Sequence, residues 1–544
     1  MKKMFSNKKT LCLLLATLLC LSMFSACGSK NDTAADNASD TASDAENTSA
    51  AETEGKTEET TASSGKDTLV VVLDQEIVSA DPADQAQRAT SQFMIQIYET
   101  LLYFDENNTP QPLLAESVTQ KDDVTYEVKL RQGVKFHNGE EMKASDAVFS
   151  LSRAIENPKT ASNIGDFDPD GFEIIDDYTF TMKTLEPVAT FYASLCSTCT
   201  AIVSEKAVTE LGDNFSKDAT GAGTGPYKFV EWIPAQEVSI ERFDDYWREP
   251  AKIKNMTWKF VSDANSRSVM LETGEADVIY QVQTAGIEAL LANDELTVYS
   301  VPSTTIRFIY FNQSEGLPMS NEYLRKAVSY AIDREALVKN VFGEYATPAT
   351  SFLAPAILGH TDDVETYDYN PEKAKEMLAE AGYEPGELTL TMSMHAQNVL
   401  TRMAEVIQAY LADVGINMEI QALDTAAWVA ALAEGQTQMG FNANSNTSCD
   451  PDVLFTPCHS SLIPAPNHGC VNDSELDALL EKGARTFDNT EREKIYVEAQ
   501  QLIADKCYLY PICYDNNTMA VRNELKGFTP TSTAQDRFYV CYFE

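Results

Sequence analysis

Cys196-Ser197-Thr198-Cys199 sets two thiols at the spacing of a redox or metal motif. No second pair of that kind and no suitably spaced histidine goes with it, so a local disulfide or two buried thiols outweigh an oxidoreductase. Gly221–Phe229, GAGTGPYKF, is rich in glycine but is no nucleotide loop. It lacks the G-x-G-x-x-G spacing and any Gly-Lys-Ser/Thr, and Pro226 opens an extended strand where a phosphate site needs a helix. There is no HExxH and no Gly-x-Ser-x-Gly, and histidines number five. His137 stands beside a turn with no partner nearby in sequence and reads as structural. His395, His459 and His468 lack the spacing of a local metal-ligand cluster. What remains is a binder's chemistry. Gly440–Asp452, GFNANSNTSCDPD, offers neutral donors and acceptors, with Asn444, Asn446 and Thr447 as candidate ligand contacts. About half of these side chains are expected to serve the loop's own turns. Trp428 and Phe441 flank the segment, either as apolar walls of a cleft or as core, with core the favoured reading.

The elements that must hold these residues alternate between periods of 2 and 3.6. Tyr126, Val128 and Leu130 alternate with Glu127, Lys129 and Arg131, which predicts a half-buried strand. Val134–Phe136 is expected as a second short strand before an Asn138-Gly139 turn. Ser145-Asp146 should open a helix with Ala147, Val148, Leu151 and Ala154 on one face. Thr68–Leu73 reads as a buried strand and Phe93–Phe104 as a helix. Phe172–Met182 predicts a strand pair, and Asn265–Thr273, Leu324–Arg334, Asn370–Tyr383 and Thr401–Val414 predict helices. Further strands are expected at 276–279, 306–312, 388–392 and 416–420. This alternation implies an α/β body with largely wound sheets.

The amino terminus has a different character. Lys2, Lys3, Lys8 and Lys9 precede the apolar run Leu11–Ala26, whose 16 residues fall short of the ~20 needed to span a bilayer. Small residues then lead to Cys27-Gly28, the pattern of a secretory signal (residues 1–26) ending at a lipobox. Cys27 is the expected acylated first residue, although Phe24 replaces the usual leucine. From Gly28 to Lys66 there is no aromatic, Leu, Ile or Val, so the segment cannot offset its ordering entropy and is expected to be a disordered tether. Its r.m.s. span would be roughly 30–40 Å. The chain carries 83 acidic and 41 basic side chains, a net charge of −42, and loss of the four signal lysines leaves about −46. That excludes nucleic acid as a partner, which needs a basic footprint, and leaves the lipid as the sole membrane attachment. The nearly 480 residues beyond the tether contain no other run of spanning length and are expected to be soluble.

Leu114–Ser117 (LAES), YEVKLRQGVKFHNGEEMKASDAVFSLSR at Tyr126–Arg153, GTGPYKF, the helix Leu324–Arg334 and Asp450-Pro451-Asp452 follow one another in an order that resembles the extracellular solute-binding proteins of the peptide/nickel class. The resemblance runs from Leu69 to the C-terminus. It implies a two-lobe, type II periplasmic-binding-protein-like α/β fold. The first lobe would comprise residues 67–300 with about 515–544, including an inserted subdomain near 111–221, and the second would comprise 301–514. It implies a monomer held on the outer face of the cell membrane by lipid, which delivers peptides to an ABC permease and ATPase without catalysis or a cofactor. The loop after the first strand, with Gln75 and Glu76, would line the cleft. Dipeptide-binding relatives carry an Asp three residues before DPD for the ligand amine, where this chain has Thr447. They carry an Arg for the carboxylate near Met394-His395, where this chain has none. The resemblance therefore implies longer peptides or another neutral-ended solute, and it also implies a disulfide between Cys458 and Cys470. A nickel or metal-chelate carrier of the same fold is the alternative, and a secreted hydrolase on a similar scaffold is the alternative of another class. If Cys27 is acylated, Cys27→Ala will move the protein from the membrane to the soluble fraction on cell fractionation; an unchanged distribution would remove the anchor.

Overall fold

Thr68–Leu73 runs parallel to Asn255–Phe260 on one side and Val278–Tyr280 on the other, so its side chains from Val71 onward are buried. The structure, a computed structural model, describes residues 66–544 except 86, 107, 161–163 and 165–166. The expected signal segment, Cys27 and the tether before Lys66 lie outside the described residues.

Eleven strands form one sheet. From one edge the order is Asn417–Leu423, Thr389–His395, Met439–Ser445, Leu296–Phe311, Leu509–Arg522, Val278–Tyr280, Thr68–Leu73, Asn255–Phe260, Glu237–Arg242 and Tyr227–Ile233, and Ala346–Pro348 also pairs with Leu509–Arg522. Two strands in the middle are far longer than the rest. Leu296–Phe311 has 16 residues and Leu509–Arg522 has 14. They pair antiparallel from Leu296↔Arg522 to Tyr310↔Leu509, with register shifts between Pro302 and Ile306 and between Arg307 and Phe308. Pro302 has no N–H to give the ladder, and the break falls there.

Separate apolar clusters lie on the two sides of that break. Trp258, Phe93, Tyr227 and Val278 centre one, while Phe311, Leu324, Met392 and Ile407 centre another. A four-stranded antiparallel sheet of Ala115–Gln120, Thr125–Leu130, Thr179–Lys183 and Glu173–Asp176 stands apart, with the helix Ala144–Glu156. Its own core holds Tyr126, Val128, Leu151 and Phe180, and Tyr126 stacks on Phe191 with ring centroids 3.5 Å apart. The fold is thus the expected two-lobe mixed α/β arrangement, organised about one continuous sheet.

Several local expectations are corrected. Val134–Phe136 is not a strand: it makes one bridge, Lys135↔Glu141, because the chain turns back at once through the bond from Gly139 N to Phe136 O. The expected helix Phe93–Phe104 is instead Arg88–Ile97, and Leu102–Phe104 pairs as a strand with Pro110–Pro112. Leu324–Arg334 is divided between two helices, Glu322–Ala331 and Arg334–Phe342, because Asp333 caps the second through Ala336 N.

The glycine-rich segment has a steric reason. Gly225 N donates to Ile97 O at 3.1 Å, which brings the chain so close that a Cβ on Gly223 would stand 1.9 Å from that oxygen. His137 N donates to Gly223 O, and His137 Nε2 donates to Gly225 O at 2.9 Å. Burial lowers the imidazole from 6.5 to about 4, so it folds neutral. A His depressed in the folded state contributes stability at higher pH that is lost as the pH falls from 6.5 towards about 4. Gly223→Ala should cost about 2–3 kcal/mol by forcing backbone apart. Gly286→Ala, in the helix Thr284–Leu291 with nothing closer than 3.8 Å, should be neutral or stabilise. Thermal unfolding of the two variants against the parent checks both signs.

Candidate functional site

A cavity of about 580 Å³ opens between two sets of segments that are distant in sequence. One wall comes from the start of the helix Arg88–Ile97, from the stretch 190–199 and from Gln535. The facing wall is the chain leaving the strand Met439–Ser445, together with Asp452, Val453 and Thr456. Size and form suit a small ligand.

The first wall is a net of hydroxyls and amides. Ser91 Oγ and Thr198 Oγ1 lie 2.9 Å apart, and Gln85 Nε2 donates to them at 3.3 and 3.4 Å. Gln87 Nε2 donates to Gln75 Oε1 at 3.0 Å, and Gln87 Oε1 accepts from Thr90 Oγ1 at 2.9 Å. The helix behind it is unusual, since Thr90, Ser91, Gln92 and Gln96 are all buried on it beside Phe93 and Met94. Buried polar groups need partners, and Ser91 and Gln96 find theirs at Thr198 Oγ1 and Asp536 O.

The second wall is tied to the register break of the long strands. Thr304 Oγ1 donates to Asn446 O at 2.6 Å, and Thr305 Oγ1 donates to Ser445 Oγ at 3.1 Å. Asn446 Nδ2 donates to Asp450 O at 2.8 Å while Asn446 Oδ1 accepts from Ser448 Oγ at 2.9 Å. Asp450 accepts from both Arg492 Nη1 and Nη2 at 2.6 Å, a bidentate pair with only 4% of the Arg492 side chain exposed. Asp452 Oδ1 accepts from Tyr496 OH at 2.6 Å. The DPD aspartates therefore brace the wall from behind, and Thr447 stands exposed at its front.

Past Ala193 and Ser448, which line both spaces, the cleft continues into a second cavity of about 650 Å³. The second space is lined by Pro110, Gln120 and Tyr192 and by Leu358, Cys449 and Phe487. A third cavity of about 320 Å³ gathers His395, Trp428 and Phe441 with Arg307 and Asn442. Phe441 is at once core, at 5% exposure, and wall, and Trp428 is half-buried. Gln397 Nε2 donates to His395 Nδ1 at 2.9 Å, so Nε2 carries the proton and donates to Thr425 Oγ1 at 2.8 Å. Arg307 is held by Asp515 at 2.8 Å. Burial works against its charge, but Asp515 outweighs that and raises its pKa.

Not every expected site residue reaches the cleft. Glu76 accepts from Trp232 Nε1 at 3.1 Å and from Ala235 N at 2.7 Å, which fastens the turn between the strands Tyr227–Ile233 and Glu237–Arg242. Gln75 is exposed and reaches the site through Gln87. Asn444 pairs with Ile306 in the ladder and lines none of the three cavities. Asn446 lines the cleft, but its amide is taken up by its own loop. Arg88, Ser91, Thr198 and Gln535 were not anticipated; the one signal was a polar run that hydropathy reads as loop.

Cys458 and Cys470 are buried free thiols here, which differs from the expected disulfide. Asn467 staples the intervening loop instead, donating to His459 O and Val471 O at 3.1 and 2.9 Å and accepting from Val471 N at 3.1 Å. Cys196 and Cys199 are also free and buried, and burial pushes the Cys199 thiol up to about 11, the reverse of a reactive thiolate. Among the described residues no three His, Cys, Asp or Glu are grouped to hold a metal ion. Arg492→Leu should cost about 3–5 kcal/mol by stranding the Asp450 charge. The double variant with Asp450→Leu should recover much of that in chemical denaturation, and a double variant as unstable as the single would show the pair is not coupled.

Comparison with known proteins agrees with this geometry. The family of bacterial extracellular solute-binding proteins, family 5 (middle part), matches residues 109–462. The glutathione-binding protein GsiB of Salmonella paratyphi A is 30% identical over 484 residues, covering 86% of this chain and 92% of that protein. The solved ABC transporter substrate-binding protein CtaP of Listeria monocytogenes superposes with a TM-score of 0.78 at 27% identity, covering 88% of this chain and 99% of its own. The binding protein DppA of Helicobacter pylori, solved with the peptide STSA, has a TM-score of 0.75 at 26% identity, covering 88% and 98%. Matched over most of its length in sequence and in structure, this chain belongs to the family 5 bacterial extracellular solute-binding proteins, the substrate-binding components of ABC transporters.

Proposed function

We propose that the protein captures peptides, three residues and longer in preference to dipeptides, and passes them to an ABC permease while anchored through Cys27. The observation that carries this reading is the cleft itself. Its two walls come from residues 85–91 with 190–199 and from residues 445–456, and it continues past Ala193 and Ser448 into a second space. Hydroxyl and amide groups on both walls match the donors and acceptors of an extended peptide backbone, as in strand-addition recognition. We place the lobe boundaries on the two long strands, at the register break near 303–305 and at Asp515. The relatives named for glutathione and solved with a four-residue peptide support a peptide-like solute.

Binding should occur without turnover. Calorimetry with tri- to pentapeptides should give a saturable signal, and chromatography afterwards should return each peptide intact; cleavage would instead favour a hydrolase. Glu76 is held by Trp232 and Ala235, and Asp424 caps its own helix through Ala427 N, so neither serves as an amine anchor. N-acetylation of a bound peptide should therefore weaken it less than about tenfold, or ~1.4 kcal/mol. A larger loss would assign the ammonium to Asp452.

A further inference from the structure

Arg88 is the one cationic side chain among the described residues lining the 580 Å³ cavity. The chain as a whole has twice as many acidic as basic side chains, 83 against 41, yet Arg88 forms no ion pair among the described residues. Its guanidinium is fixed by a neutral group. Gln281 is held at φ +55 and turns its side-chain oxygen, in the amide orientation that satisfies both groups, to accept from Arg88 Nη1 at 2.7 Å and also from Nη2. Arg88 acts electrostatically on Asp536, whose carboxylate is engaged by Tyr280 OH at 2.7 Å and by Thr531 N and Oγ1 at 2.7 and 2.9 Å. Burial raises the Asp536 pKa, which weakens it further as a counter-ion.

A positive charge held in place and left unpaired beside a cavity is stabilised by an anion that enters it. The guanidinium fork fits a carboxylate with two parallel N–H donors, and its side chain begins the helix Arg88–Ile97, whose cap Gln87 gives no side-chain bond to the first turn. The opposite wall presents Thr447, Ser448 and Thr456, which are neutral, and Asp452, whose carboxylate accepts from Tyr496 OH at 2.6 Å.

We propose that Arg88 is the specificity-determining residue of the cleft and holds the ligand's carboxylate, so that the solutes taken are peptides with a free carboxyl terminus. This rests on the peptide reading above. It gives the cavity a cationic anchor, and it places that anchor on the first wall, away from His395.

The test offers the full chain two equimolar pools of tri- to pentapeptides without acidic side chains, one as free acids and one as carboxyl-terminal amides. Captured peptides are then quantified by mass spectrometry. The native protein should take the acids at least tenfold over the amides. Arg88→Gln should abolish the preference with an unchanged unfolding temperature, and Arg88→Lys should retain part of it. Equal capture of acids and amides by the native protein would overturn the assignment without any variant, as would a preference that survives in Arg88→Gln. Capture of neither pool would overturn the peptide reading, and this assignment with it.

Discussion

Two strands have to serve two bodies at once. Leu296–Phe311 and Leu509–Arg522 each begin in one apolar cluster and end in another, so their ladder must be continuous enough to join the lobes and interrupted enough to redirect the chain. Pro302 removes a donor, and the register slips before Ile306. The side chains freed there are put to use. Thr304 and Thr305 reach across to the backbone of Asn446 and the hydroxyl of Ser445, so the interrupted ladder carries one wall of the cleft. Any rotation about the break moves that wall directly, which is how a hinge at an element's irregularity acts on a distant surface.

The segments by which the family is recognised are mostly architectural. GTGPYKF packs where only hydrogen fits, against Ile97 O, and His137 seals it with a neutral imidazole. DPD contributes Asp450 to Arg492 and Asp452 to Tyr496. The groups that face the cavity, such as Arg88, Ser91, Thr198 and Thr447, lie on ordinary stretches beside those motifs. This division leaves ligand chemistry free to vary while the frame stays put.

The same division explains what could be read from sequence. Strands such as Thr68–Leu73 and helices such as Pro371–Glu380 follow from local pattern, with Asn370 capping Lys373 N at 3.0 Å. The sequence places the helix Arg88–Ile97 wrongly because its buried residues include Thr, Ser and two Gln, of which Ser91 and Gln96 find partners at Thr198 and Asp536, 107 and 440 residues away. Trp428 and Phe441, which flank the Asn-rich segment in sequence, meet His395 around one cavity. Glu76 looked like a cleft acid because its loop follows a first strand, but Trp232 and Ala235, 156 and 159 residues further on, decide its role. Long-range polar pairing leaves no periodic trace, and the site is made largely of it.

Hydrogen exchange measured with and without a bound tetrapeptide tests the central claim, that one ligand is held by both walls. The account predicts that residues 85–91, 190–199 and 445–456 gain protection together, because closing the cleft removes all three from water. Protection confined to one of these segments, or arising at the third cavity around Trp428 alone, would contradict it.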